Sequence, residues 1–239
     1  MIFHQLEHLI HVPWVIQATL FAAFLLIVGS LVARRRLAGA QGGIVPDEGV
    51  TLRNVFEVLV EWLAGLARDR MGPDWRKYFP LVGTIFFFIL VSNLMGLIPG
   101  FDGATNNINT TLAWAIIAWV FYTAIGFRTH GVSNYMTKFL GPSFFEKRIA
   151  GRVIHFRLLA PLFFILEVPL DIARIATLAI RLFANIMAGH QVIWVALMLA
   201  PLGAPALFFG LEFIVSFLQA FIFALLTMVY IGLALDEPH

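Results

Sequence analysis

The chain has 239 residues, of which 60% are hydrophobic and 13% charged, with a mean hydropathy of +0.88. Soluble domains carry about 25% charged residues, so this composition excludes an ordinary soluble fold and points to an integral membrane protein. The absence of cysteine excludes disulfides, thiolate metal sites and cysteine nucleophiles, and the net charge of +2 is informative only in its distribution.

In chain order, Met1 to His11 has no basic n-region. His4, His8 and His11 follow at i, i+4 and i+7, which puts them on one helical face. Their order is not the His-Glu-x-x-His of zinc hydrolases, and a solvated or interfacial face is favoured over a metal site. Residues 12–33 form the first apolar run above the roughly 20 residues that cross a bilayer. It ends in Arg34-Arg35-Arg36 and reads as a retained anchor rather than a cleaved signal. Residues 51–71 place Val55, Leu59, Trp62, Leu63 and Leu66 on one face, with Arg53, Glu57, Glu61, Arg68 and Asp69 mostly off it. That pattern predicts an amphipathic helix in the membrane interface, packing on a partner subunit being the other reading.

Spans at 79–101 and 103–127 follow, split by Asp102. Asn109-Thr110-Thr111 matches a glycosylation sequon but stands too close to the third span to be used. Beyond a polar stretch lie runs at 158–200 and 206–235. Both are longer than a perpendicular crossing needs, so they must tilt, kink or extend beyond the bilayer. The expected fold is all-α: a single polytopic membrane domain (residues 1–239) of five crossings, the last two long and tilted, plus one interfacial amphipathic helix.

The sixteen Lys and Arg set the orientation. Eight lie between the first and second spans, from Arg34 to Lys77, and six between the third and fourth, from Arg128 to Arg157. The N-terminal segment, the 100–110 loop and the 201–205 turn have none. Positive loops stay inside, so the N-terminus is expected outside and the C-terminus inside.

The last two basic residues, Arg174 and Arg181, are inside the fourth span. With Glu167, Asp171 and Asn185 they form a stripe at spacings of 4, 3, 7 and 4 along one helical face. Charge at membrane depth costs about 2.5–3.5 kcal/mol on insertion scales, so such a stripe must face water, protein or a counter-charge. Asp171 and Arg174 stand at i, i+3 and are expected to neutralise each other. Arg181 has no acid three or four residues away, and a guanidinium keeps its proton at any ordinary pH. Its counter-charge is therefore expected from another helix or another chain.

The fifth span carries Glu212, Ser216 and Gln219 at spacings of 4 and 3. His190 lies nine residues past Arg181, about half a turn out of phase, and is placed to meet Glu212 across the hairpin. Protonatable groups towards the outer side (His190, Glu212) and the inner side (Glu167, Asp171) are thus divided by a permanent cation. Such an arrangement blocks a continuous proton wire and leaves two half-paths.

At these residues the chain resembles subunit a of the F-type ATP synthase. The resemblance rests on Leu178-Ala179-Ile180-Arg181-Leu182-Phe183-Ala184-Asn185-Ile186-Met187-Ala188-Gly189-His190, on the block from Leu218 to Tyr230, and on Val91 to Gly100 with its Ser92-Asn93 pair. It covers roughly Val55 to the C-terminus. It implies a stator subunit of a rotary proton channel, with Arg181 facing the carboxylates of a c-subunit ring. It also implies that Asn185 and Gln219 flank that arginine, that His190 and Glu212 serve the outer half-channel and Glu167 the inner, and that Asn93 is a polar position on the second span. Peripheral-stalk b subunits and the F1 ATPase sector are the further implied partners, in an energy-coupling membrane, most simply a bacterial inner membrane. Asp171 and Arg174 receive no role from the resemblance.

No Walker loop, Gly-x-Gly-x-x-Gly or Gly-x-Ser-x-Gly occurs, so no cofactor or metal is expected and the chain is not read as an enzyme. The basic loops are explained by topology, leaving no case for nucleic-acid binding. A self-contained secondary transporter is the alternative, opposed by the lack of internal repeats. An intramembrane hydrolase lacks a nucleophile–base pair.

Overall fold

A computed structural model of the protein describes residues 3, 7, 11–39, 51–98, 100–137, 145–149, 152–156, 160–200 and 203–236. His4 and His8 lie outside the described residues. The elements are α1 (Trp14–Gly39), α2 (Leu52–Met71), α3 (Trp75–Gly96), α4 (Ile108–Thr137), β1 (Phe145–Ile149), β2 (Arg152–Phe156), α5 (Ala160–Leu199) and α6 (Ala204–Leu235). Among the described residues, five stretches of helix are long and apolar enough to cross a membrane, which agrees with the expected all-α polytopic class.

The outer helices show what the composition is for. α1 buries Ala18 and Ala22 against Phe88, Met95 and Ala104, and leaves Leu20, Phe24, Ile27 and Leu31 exposed. Such a helix is dressed for lipid on most of its surface. The central core lies where α3, α4, α5 and α6 meet, around Phe86, Ile89, Leu182, Ile186, Met228 and Ile231.

Two span boundaries move. α3 ends at Gly96 rather than 101, and α4 starts at Ile108 rather than 103. The intervening chain is apolar enough to resemble membrane sequence but contains Gly100 at φ +96°, a left-handed conformation that cannot continue a helix. Gly103 then passes so close to the Ser92 carbonyl that a Cβ there would overlap it. A short 3-10 turn, Ala104–Asn106, follows, and the Asn107 side chain accepts the Asn109 N–H at 2.8 Å to open α4. Gly131, at φ +78°, breaks α4 near its far end. The polar stretch after α4 contains an antiparallel hairpin, with Phe145 opposite Phe156 and Ile149 opposite Arg152; no alternating pattern in the sequence announced it.

The amphipathic helix forms where expected. Thr51 caps it by accepting the Asn54 N–H at 3.3 Å, and Gly72 at φ +69° closes it. Part of its apolar face is covered by the chain itself. Leu63, Ala67 and Met71 enter the central core, Trp62 packs at a tilt on Phe221 with ring centroids 4.8 Å apart, and Phe56 on Phe87 at 5.1 Å. Val55 and Val58 remain exposed nearer the start of the helix.

α5 and α6, of 40 and 32 residues, span about 60 and 48 Å at 1.5 Å per residue. Both exceed the roughly 30 Å hydrocarbon thickness, as their sequence lengths required.

Candidate functional site

The polar stripe of α5 is real as sequence but splits in space. Asp171 turns into the bundle and is buried, whereas Arg181 is exposed on the helix flank. Helical phase explains the split: ten residues separate them, about 80° short of whole turns. Glu167 and Asn185 are half-buried beside the same edge.

Asp171 is a junction. Its Oδ1 accepts from Arg174 Nη1 at 3.0 Å and from the Tyr122 hydroxyl at 3.3 Å, while Oδ2 accepts from Trp119 Nε1 at 3.1 Å. Arg174 in turn lies over the Tyr230 ring, 5.5 Å from its centroid. The i, i+3 ion pair anticipated from sequence is therefore present, and donors from α4 and a ring from α6 complete it. Trp119 and Tyr122 were not singled out from the sequence. The available signal was two aromatic side chains with polar tips, at i and i+3, inside an otherwise apolar helix.

Arg181 has the opposite environment. Among the described residues the ion pairs are Arg53–Glu57 and Arg174–Asp171, and neither reaches it. Its neighbours on the exposed flank are Ala184 and Ala188, small side chains that leave the guanidinium accessible. Gln219 is buried on α6, at 8% exposure.

At the far end of the α5–α6 hairpin the acid and imidazole are brought near each other but not bonded. Glu212 is buried with its carboxyl group lodged against Gly189, where any Cβ would overlap it. His190, the next residue, faces α3: its ring packs on Gly96, with the Gly96 backbone and Asp102 as its polar surroundings. Glycine at 189 is what lets a carboxylate sit between the helices. The sequence signal for it was a small residue directly before the histidine.

His190 and Asp102 line a cavity of about 320 Å³ with Phe101, Ile193 and Trp194, at the end of the bundle that holds the α3–α4 connection. Inward of it runs a seam between α3 and α6. Asn93 is buried there, donating to the Ser216 carbonyl at 3.1 Å and accepting from the Thr105 hydroxyl at 2.7 Å. Both ends of its amide are occupied, so Asn93 stitches α3, α6 and the 3-10 turn together. Next to this stitch, Ser92 Oγ, Ser216 Oγ and Glu212 Oε1 are buried without a hydrogen-bond partner. Buried polar atoms are costly to leave unpaired, so these oxygens mark polar ground inside an apolar bundle.

The family profile described as ATP synthase A chain matches residues 15–232. The chain is 38% identical over 224 residues to ATP synthase subunit a of Bdellovibrio bacteriovorus, covering 93% of this chain and 92% of the relative. It is 37% identical over 240 residues to ATP synthase subunit a of Trichlorobacter lovleyi, covering 98% and 94%. A third relative, ATP synthase subunit a 3 of Pelobacter propionicus, is 39% identical over 216 residues, covering 90% and 84%.

Proposed function

The chain belongs to the ATP synthase subunit a family, and on that premise we propose that Arg181 divides two proton half-paths against a rotating ring of c subunits. The chain is a multi-pass, non-catalytic membrane subunit that couples proton flow to ATP synthesis made elsewhere in the complex. The observation that carries the half-path reading is the contrast on α5 and α6. A permanent cation stands exposed with no carboxylate on it among the described residues, while an acid one helix-end away is buried with an unsatisfied oxygen.

In this reading the bundle end that holds the 320 Å³ cavity faces outward, as the loop charges favour. A proton enters past Asp102 and His190 and reaches Glu212. The Ser92, Ser216 and Glu212 oxygens give it polar footing inside the membrane, and Gln219 continues the line along α6. It then neutralises a ring carboxylate, which can travel through lipid only when uncharged. After nearly a full turn that carboxylate meets Arg181 from the other side. The guanidinium favours its ionised form, and the released proton leaves inward past Glu167, with Asn185 beside the arginine.

Arg181 also forbids a direct leak. A proton crossing the guanidinium would place two positive charges together in a low-dielectric setting, so passage requires the moving carboxylate. The driving work is about 2.3 kcal/mol per charge per 100 mV. The peripheral-stalk b subunits, the F1 sector and a bacterial inner membrane with the N-terminus outside complete the assembly. α2, with Val55 and Val58 exposed, lies at the inner interface.

The test is Arg181→Ala in the complete complex, reconstituted in sealed vesicles. The expected result is loss of proton-driven ATP synthesis by more than a hundredfold together with a passive proton leak. Synthesis retained within threefold of wild type would sink the reading.

A further inference from the structure

Two arginines stand on one flank of α5, seven residues apart. Seven residues are 20° short of two turns, so Arg174 and Arg181 share nearly the same direction, about 10 Å apart along the axis. The flank therefore offers a passing carboxylate two cations, and a single-barrier device tolerates only one. We infer that Asp171 cancels the charge of Arg174 from beneath, so that Arg181 alone acts on the ring carboxylate. The inference rests on the reading of Arg181 given above.

The geometry fits cancellation better than a simple bracket. The Arg174 side chain keeps 30% exposure while Asp171 keeps 8%, so the cation still reaches the surface and its counter-ion is buried behind it. One Asp171 oxygen is 3.0 Å from Arg174 Nη1. Trp119 and Tyr122 supply neutral N–H and O–H donors to the same carboxylate, which hold it in place and add no charge. The Tyr230 ring lies against the guanidinium at 5.5 Å, and the Tyr122 ring is 5.5 Å from that of Tyr230. Three helices thus converge on one ion pair whose sum is zero.

Removing the anion alone leaves an unneutralised arginine two turns from Arg181. A ring carboxylate held there is withdrawn from rotation, so the defect is a trap and not only a loosened helix. A trap has a signature that packing damage lacks: it disappears when the second arginine is also neutralised. Asp171 is a positioning residue in this account, acting through Arg174 on the field that the ring meets.

The experiment compares complete complexes in membrane vesicles, with ATP-driven proton pumping expressed per assembled complex. Asp171→Asn is expected to lower pumping at least tenfold. The double variant Asp171→Asn/Arg174→Gln, which removes both charges, should recover to at least a third of wild type. A double variant no better than Asp171→Asn overturns the inference, as does Asp171→Asn at wild-type rate. A second arm, Trp119→Phe/Tyr122→Phe, removes two hydrogen bonds and no charge. Pumping per complex should stay within threefold of wild type there, and a tenfold loss overturns the inference whether or not Asp171→Asn assembles. Arg181→Ala in the same vesicles separates the two ideas: retained coupling there sinks the half-path reading itself, while failure of the double-variant rescue sinks only the role of Asp171.

Discussion

Arg174 and Arg181 are the same residue type on the same flank of one helix, and they have opposite fates. Arg174 has an acid at i−3, a tyrosine face and a junction of three helices around it. Arg181 has alanines beside it and no carboxylate among the described residues. The difference teaches how a membrane protein makes a charge structural or functional. A cation whose partner lies within its own chain contributes to packing and is electrically quiet. A cation whose partner belongs to something that moves stays available, and its solvation cost is met only when the partner arrives.

The comparison breaks most sharply if Arg181 is given what Arg174 already has. Asn185→Asp places a carboxylate one turn away, at i+4. It is expected to lower proton-driven ATP synthesis more than tenfold while leaving the assembled amount near normal, measured in vesicles with an immunoblot for assembly. Synthesis within twofold of wild type would mean that an unpaired Arg181 is not required.

A similar loss is expected from Gly189→Ala. The added methyl overlaps the Glu212 carboxyl group, which has no room to retreat between α5 and α6. Overpacking of this kind costs about 1–3 kcal/mol, and here it displaces an acid as well. Proton-driven synthesis should fall about tenfold or more, with Gly189→Ser no better; normal rates in both would detach Glu212 from the path. A smaller effect is expected at Thr105→Val, which removes the hydroxyl bonded to Asn93. Loss of that bond should cost about 1–3 kcal/mol, since the buried amide oxygen is left unpaired, and thermal denaturation of the purified complex should show a lowered midpoint. The smallest is Thr51→Ala, which removes the α2 cap and should cost about 0.5–2 kcal/mol. Unchanged proton pumping is the expected companion result, and a pumping defect would give α2 more than a packing role.

Much of this was legible in the sequence, and the particular residues show why. Five crossings follow from apolar runs whose length is set by the bilayer. The Asp171–Arg174 pair follows from i, i+3 spacing, and the isolation of Arg181 from the acids missing around it. These are local signals, set by helix geometry. The failures are non-local. Trp119 and Tyr122 meet Asp171 across about 50 residues of sequence, and nothing in their own helix names that partner. His190 and Glu212 looked like partners because their helices are adjacent, but glycine at 189 draws the carboxylate one residue aside while the imidazole turns to Gly96. The spans read from sequence run up to 101 and from 103 on either side of Asp102, and the backbone, with left-handed Gly100 and crowded Gly103, shortens them to Gly96 and Ile108. α2 forms where its amphipathic pattern put it, but the pattern does not say that Leu63, Ala67 and Met71 join the chain's own core while Val55 and Val58 stay exposed.

The Thr105–Asn93–Ser216 stitch has a mechanical consequence. A rotor driven past a stationary wall pushes back on that wall with equal torque, and a wall that yields stores the push as elastic strain instead of passing it on. Asn93 fastens α3 to the backbone of α6 and to the turn that carries the chain into α4, all with one buried amide. Stiffness at that point resists separation of α3 from α6 under load, so that less of the push is taken up as deformation of the wall.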